Sequence, residues 1–339
     1  MASFRIEPDL GKAIIRIPKM SNMTRPDSGT TAPVDFDVPL GCPLCGKALV
    51  ASKGAGILCP PCEREDCPKE FPFNGGFPDL VIGGRFDDET SDELLANEER
   101  NTEHTVHEYW APLFKSLEKP GEKLRILAVG CGAGAEVDLL RDAGFECVGI
   151  DNGNRARSWS ARRSRHSLAM ANAMRLPFSD GSFDVAFCGC VFPHVGVVGD
   201  SATPSQTCWE DRLAVAREMT RVVKPGGHIV VSSPNRWFPL DLFHGRAIGS
   251  FRTPLNPPWR KFLLAASDYR RLFLAAGCSK PAIPLSIKNY WGFCRTNGTF
   301  KGRLAALPVK ALLQIGSHDA TQPLRASGLV PWIVMMIRK

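Results

Sequence analysis

Four cysteines stand in two C-x2-C pairs, Cys42-Pro43-Leu44-Cys45 and Cys59-Pro60-Pro61-Cys62, separated by thirteen residues. Zinc takes four soft ligands at the corners of a tetrahedron, and two tight turns can present two corners each. A bound metal would also explain how the stretch from Gly41 to about Leu80 folds, because it is rich in Cys, Pro and Gly and lacks hydrophobic runs. Four thiolates leave no open position for water, so the expected ion is structural. The alternative is four unrelated thiols. Cys67 is a fifth cysteine nearby that could substitute as a ligand, although its spacing is wrong for the pair.

The second group begins at Gly130-Cys131-Gly132-Ala133-Gly134. Glycines let a backbone approach a ligand closely, and a helix that opens behind them offers free N–H groups. Asp151 follows twenty-one residues after Gly130, at the end of the next apolar run. A carboxylate there can accept hydrogen bonds from both hydroxyls of an adenosine ribose. Gly130, Gly132 and Ala135 also satisfy the dinucleotide pattern G-x-G-x-x-A. On these residues alone a nicotinamide and S-adenosylmethionine stand level, and a glycine turn needed only for packing is the bland alternative.

These groups need elements to hold them. Leu124–Val129 and Glu146–Ile150 read as buried strands around a helix at about 134–143, and Phe183–Cys188 and His228–Ser232 read as two more. Trp209, Leu213, Ala216, Met219 and Val223 recur at helical spacing, and Pro225-Gly226-Gly227 stops that helix. Ser267 is expected to cap a helix running to Ala276, with Gly277 beyond it, and Pro331–Lys339 reads as a last strand. Residues 86–118 open acidic and read as helical, and 13–17 as a short strand. Strands alternating with helices predict a doubly wound α/β sheet, mostly parallel and covered on both faces. The domain organisation that follows is a mobile tail at 1–37, a zinc-ribbon-like module at 38–84 and an α/β domain at 85–339.

At 339 residues, 44% hydrophobic and 23% charged, the chain supports two domains with a sizeable core. No run of about 18 apolar residues predicts a membrane span, and no secretory pattern opens the sequence. A cytoplasmic location with reduced thiols is therefore expected for the twelve cysteines. The net charge of +7 permits an anionic partner without demanding one.

Five stretches together resemble a known family. Ile126–Gly134 (ILAVGCGAG), Val148–Asp151 (VGID), Asn172–Phe178 (NAMRLPF), Ser182–Cys188 (SFDVAFC) and Arg217–Ser232 (REMTRVVKPGGHIVVS) are similar to class I S-adenosylmethionine-dependent methyltransferases. The likeness is strongest to the subgroup holding the quinone-biosynthesis C-methyltransferases and many small-molecule enzymes, and it spans about residues 104–280. It implies a seven-stranded Rossmann-like sheet. It also implies that Gly130, Gly132 and Gly134 line the methionine half of the cofactor, that Asp151 holds the ribose and that Asn152 lies beside the adenine. Asn172 stands where the family has an acid for the adenine amino group, Ala173 would offer a backbone N–H, and Cys188 would sit next to the methyl group. Cys42–Leu80 separately resembles a zinc ribbon, a module that also precedes certain bacterial rRNA guanine methyltransferases.

One departure concerns binding strength. The family carries an acid where this chain has Ala128, and that carboxylate helps hold the cofactor's ammonium group. Its loss would cost about 1.5–3 kcal/mol unless Glu136 or a residue of the 86–118 helix takes over. A methyltransferase-like binding module that has lost the cofactor is one reading of that change.

For the acceptor, methyl transfer needs alignment more than covalent help, with a base only if the acceptor keeps its proton. His194 is the candidate base, with a packing role as its alternative. Residues 236–262 read as a lid carrying Trp237, Phe238, Phe243, His244, Phe251 and Trp259, suited to an apolar small molecule, lipid- or sugar-linked. Arg155, Arg157, Arg162, Arg163 and Arg165 point instead to RNA, or to a solvated face. Residues 300–314 read as a basic, apolar helix that would lie against the domain or a membrane surface.

Overall fold

The computed structural model describes residues 35–52, 56–85, 92–199, 201–241, 255–293 and 300–339. Most of the expected tail, the strand read at 13–17, the acids at 87–89 and the lid residues Phe243, His244 and Phe251 lie outside the described residues.

The cysteine-rich stretch forms a four-stranded antiparallel sheet in sequential order: β1 (Val50–Ala51), β2 (Gly56–Leu58), β3 (Glu70–Asn74) and β4 (Phe77–Pro78). Helix α1 (Asp92–Thr105) continues through a π-helical turn at Val106–Trp110 into α2 (Ala111–Lys115). The large sheet then starts with β5 (Arg125–Val129), α3 (Ala135–Asp142), β6 (Glu146–Asp151), β7 (Leu168–Met170) and β8 (Phe183–Gly189). It ends with α4 (Cys208–Val222), β9 (Val223–Pro234), α5 (Ala266–Ala275), β10 (Ile283–Pro284), α6 (Phe300–Ser317) and β11 (Trp332–Arg338).

The seven strands run in the order β10-β11-β9-β8-β5-β6-β7. The five from β9 to β7 are parallel, and β11 lies antiparallel between β9 and β10. This is the doubly wound, mostly parallel sheet that the sequence pattern predicts. Alternation along β5 divides the core: Leu127 and Val129 pack with α4 and α5, whereas Ile126 and Ala128 pack with α3 and the aromatic residues Tyr109, Trp110 and Phe114. Strand order reverses between β5 and β8, so the carboxyl ends of β5, β6 and β8 border a topological switch point.

Helix boundaries follow local chemistry, with one difference from expectation. The cap of α5 is Ala265, not Ser267; the Asp268 carboxylate accepts the Ala265 N–H at 2.8 Å and closes the helix end from inside. The Pro225–Gly227 turn is absorbed into β9 as a register shift: Phe183 pairs with Val223, and Val185 with His228.

The cysteine-rich module borrows its core. Leu40, Leu49, Ile57, Phe71 and Leu80 are all buried, in the same cluster as the α4 face of the large sheet. Backbone bonds stitch the seam, from Gly41 N–H to Pro177 O and from Leu80 N–H to Met170 O, each 2.8 Å. Asp79 bridges Met170 in parallel, so the chain beyond β4 covers the free edge of β7. Residues 32–339 accordingly form one compact unit.

Candidate functional site

The glycine loop hangs between the ends of β5 and β6. Gly130 and Cys131 N–H both donate to Ile150 O, at 2.8 and 3.0 Å, and bend the chain sharply out of the strand. Gly130, Gly132 and Gly134 have φ of 72°, 52° and 77°, a region that side chains rarely enter. A Cβ on Gly130 would come 2.4 Å from Val191. A further glycine, Gly149 on β6, was missed in the sequence. A Cβ there would lie 2.7 Å from Val137 and 2.8 Å from the Cys131 sulfur, so only glycine lets the loop and α3 lie flat on the sheet.

Asp151 closes β6 beside this loop. Its two oxygens accept N–H groups from Gly132 at 2.8 Å and Gly153 at 2.7 Å. Burial lifts its carboxyl above the ordinary range, against the pull of the backbone N–H groups of Gly153, Gly132 and Asn152. A carboxylate oxygen holding one donor keeps capacity for another, so Asp151 can still accept ribose hydroxyls.

The segment after Asp151 folds back over the loop. Trp159, fully buried, donates its indole N–H to Gly132 O at 2.8 Å and packs edge-on against Phe77 of β4. Arg162 donates to Ala133 O at 2.8 Å and also pairs with Glu99 of α1. Arg155 makes a two-pronged pair with Glu98, both bonds 3.0 Å. Arg157 faces Asp92 at 3.6 Å, Arg163 meets Asp142, and Arg165 lies over the Phe77 ring. The arginine cluster is therefore neither a bare basic face nor an idle one. It fastens α1 and the glycine loop together.

The other expected residues fare differently. Asn172 is buried, with its carbonyl accepting Met174 N–H at 2.9 Å and its amide donating to Ile82 O at 3.4 Å. Ala173 follows it, partly buried, and Asn152 is likewise partly buried next to Asp151. Cys188, expected beside the methyl group, is instead sealed in the core at 1% exposure, and burial drives its thiol far up. The cysteine at the strand mouth is Cys190, in a left-handed conformation with φ of 57°.

His194 sits in a short 3-10 turn, Phe192–His194, with its ring edge-on to Phe262 at 5.9 Å. That turn is pinned by Arg212, which composition alone did not single out. Its guanidinium is buried and donates to the carbonyls of Phe192, Pro193, Val195, Lys261 and Phe262. Of the lid residues that are described, Phe238 is buried, whereas Trp237 and Trp259 are 46% and 80% exposed. Two cavities, of about 460 and 500 Å³, lie off the glycine loop. The first separates the cysteine module from α4, and the second borders Asn172 and Ile82–Gly84.

The cysteine cluster differs from the sequence expectation in one member. Cys42, Cys45, Cys59 and Cys67 bring their sulfurs within 4.8 Å of one another; Cys62 is not among them. Cys42 and Cys67 approach to 3.3 Å, and Cys45 and Cys59 to 3.5 Å, near the roughly 3.8 Å edge of a tetrahedron with Zn–S bonds of about 2.3 Å. The reason lies in the prolines. Cys42–Cys45 makes a turn closed by Gly46 N–H on Cys42 O at 2.8 Å, whereas no backbone bond among the described residues closes a matching turn over Cys59–Cys62, where Pro60 and Pro61 offer no N–H. The Cys62 thiol lies against Arg64 O and beside Cys67, outside the tight quartet, and a turn closed by Cys67 N–H on Arg64 O brings the later thiol in. Burial raises the Cys59 thiol to about 12 and Cys67 further, with the neighbouring thiols adding to the shift.

Part of the chain is similar to known proteins. Residues 127–231 match the family model described as a methyltransferase domain. A demethylmenaquinone methyltransferase of Beutenbergia cavernae is 31% identical over 140 residues, which are 40% of this chain and 52% of that protein. A 2-methyl-6-phytyl-1,4-hydroquinone methyltransferase of Synechocystis is 34% identical over 116 residues, 33% of this chain and 32% of that protein. The chain thus spans about half the length, or less, of these relatives. Among solved structures, an S-adenosylmethionine-dependent methyltransferase from Mesorhizobium loti aligns over 67% of this chain and 96% of its own, at 16% identity and a TM-score of 0.40. Residues 127–231 of this chain thus match a methyltransferase domain, the family that the glycine loop and its flanking stretches resemble.

Proposed function

We propose that the chain is an S-adenosylmethionine-dependent methyltransferase acting on a small apolar acceptor, lipid- or sugar-linked. The observation that carries this reading is the Gly130–Gly134 loop bonded through Gly132 N–H to Asp151 at the switch point of the sheet. Three glycines at positive φ bend the loop where any Cβ would press on Val191, Arg155 or Leu168, and an acid stands at the end of the next strand, an arrangement that suits an adenosine sulfonium. When bound, that group supplies an activated methyl, and the protein's task is alignment and exclusion of water. Gly130, Gly132 and Gly134 would admit the amino-acid half, and Asp151 would hold the ribose. Asn152, Asn172 and Ala173 would border the adenine, with Asn172 contributing its remaining carbonyl lone pair.

An apolar acceptor is supported by the quinone-type relatives and by the exposed Trp237 beside the strand ends. His194 would act as base only for an acceptor that retains its proton; its contact with Phe262 equally suits packing. RNA loses its main sequence argument, because Arg155, Arg157, Arg162 and Arg163 are already paired with acids. The cysteine quartet would hold one structural zinc through Cys42, Cys45, Cys59 and Cys67, with no ligand position left for chemistry.

The test supplies labelled S-adenosylmethionine with total RNA in one reaction and an organic-soluble extract in another. Label is expected in the organic-soluble product and reduced at least tenfold by Asp151→Ala. Label in rRNA would replace the acceptor. If neither the cofactor nor its demethylated product binds in calorimetry, the chain is the cofactor-free binding module instead.

A further inference from the structure

Most of the large apolar side chains left in water belong to two segments. Among the described residues twelve such side chains are exposed, and eight of them fall within 237–259 and 300–329. In α6, Phe300, Leu304 and Leu307 stand four and three residues apart and are 76%, 60% and 56% exposed, with Ala311 exposed one turn on. That spacing sets all four on one face of the helix. The opposite face is anchored: Ala306 and Leu313 are buried, and a Cβ on Gly316 would press on Ile287 and Val330 at 2.9 Å. The outer stripe is what remains after the helix has met its own domain.

The apolar surface continues to the rim of the large sheet. Arg325 ties the 3-10 segment Asp319–Ala326 back to Gly316 O at 3.2 Å, and the exposed Leu329 follows. Next to it, Gly328 packs so closely on Trp237, just beyond β9, that a Cβ would come 2.8 Å from the Trp237 carbonyl oxygen. From there Leu240 pairs across to Leu255, and Trp259 stands beyond, all three exposed.

The charges along this surface have one sign. Helix α6 carries Lys301, Arg303 and Lys310 and no acid. Arg260 and Lys261 follow Trp259; with Arg303 they are exposed, and no acid pairs with any of the three among the described residues. The nearby acids are spent or hidden, because Asp319 pairs with Arg325 and Asp241 is buried. A second copy of the same face would set cations against cations. RNA would answer the cations, but the leucines offer no ring for a base to stack on. An anionic bilayer answers both: apolar side chains enter the headgroup boundary, and cations meet lipid phosphates.

We infer that α6 is a docking helix for an anionic lipid surface, entering through Phe300, Leu304 and Leu307, with Arg260 and Arg303 drawn to the headgroups. The inference stands apart from the cofactor reading, since vesicle binding needs no methyl donor.

The test floats the full-length protein with vesicles of phosphatidylcholine alone and of phosphatidylcholine with phosphatidylglycerol. Recovery is expected with the anionic vesicles, and binding at least tenfold weaker for Leu304→Asn/Leu307→Asn and, separately, for Arg260→Gln/Arg303→Gln. All four positions are exposed, so both variants should melt with the unaltered protein, which thermal unfolding checks. Absence of the protein from floated anionic vesicles overturns the inference, as does flotation that survives the leucine changes. A dimer in light scattering that the leucine changes dissociate, without flotation, assigns the face to a second copy instead. Binding of polyuridine that only the arginine changes abolish, again without flotation, assigns it to RNA.

Discussion

Glu136 is a partly buried carboxylate that has no hydrogen-bond or ion-pair partner among the described residues. Its carboxyl is raised to about 8, first by desolvation and then by Asp151, whereas an unfolded glutamate titrates near 4.3. A folded-state value above the unfolded one means that the protonated form is favoured by folding. The stabilisation is full below about pH 4.3 and is lost as pH rises toward 8. Glu136→Gln removes this dependence. In thermal melts of ligand-free protein, the variant should gain on the unaltered chain by about 1–3 kcal/mol between pH 5 and pH 8.5, the partial exposure of the side chain keeping the gain below the full shift. An unchanged difference across that range would mean that the carboxylate has a partner.

At the scale of elements, the second cysteine pair shows how two prolines redirect a metal ligand. Pro60 and Pro61 offer no N–H, and the turn that serves Cys42 and Cys45 is not repeated at Cys59 and Cys62 among the described residues. Elemental analysis should find close to one zinc per chain. Cys67→Ser should lose it, and Cys62→Ser should keep it. The reverse pattern would restore the sequential pairs as ligands. A related logic governs α1 and the segment after β6. Three ion pairs link them, and one of the arginines, Arg162, together with its neighbour Trp159 also bonds to the glycine loop. The conformation of the loop therefore depends on a helix that lies outside the matched residues 127–231.

For the whole molecule, the cysteine module and the α/β sheet share one core. Leu40, Ile57, Phe71 and Leu80 lie in the cluster that contains Val129, Ile150 and Met219, and Phe77 backs Trp159 under the glycine loop. Deleting residues 1–84 would expose that face and uncover the edge of β7. The fragment 85–339 is expected to be recovered unfolded or aggregated, as judged by near-ultraviolet circular dichroism and gel filtration, even when the unaltered chain is soluble. A monomeric, cooperatively melting fragment that binds S-adenosylhomocysteine with unchanged affinity would show that the module is dispensable. Among the described residues, no helix is long and apolar enough to cross a membrane.

Sequence by itself determined the parts governed by local pattern. The apolar runs that became β5, β6, β8 and β11 and the periodic face of α4 were legible because each side chain's position in its element decides whether it is buried. The glycine loop and Asp151 were legible because a tight strand-to-helix turn admits few residue types. The short strands β7 and β10 were not, since two or three residues carry no periodicity. Nor were the roles of Gly149, Arg212 and Cys67. Each depends on what a distant segment brings within a few ångströms: α3 over β6, five carbonyls around one guanidinium, a third turn completing a quartet. Only the tertiary structure decided that Arg155, Arg157 and Arg162 are paired with α1, and that Glu136 has no partner among the described residues. Charge in a sequence states a group's valence; whether it is spent depends on neighbours that the order of residues does not name.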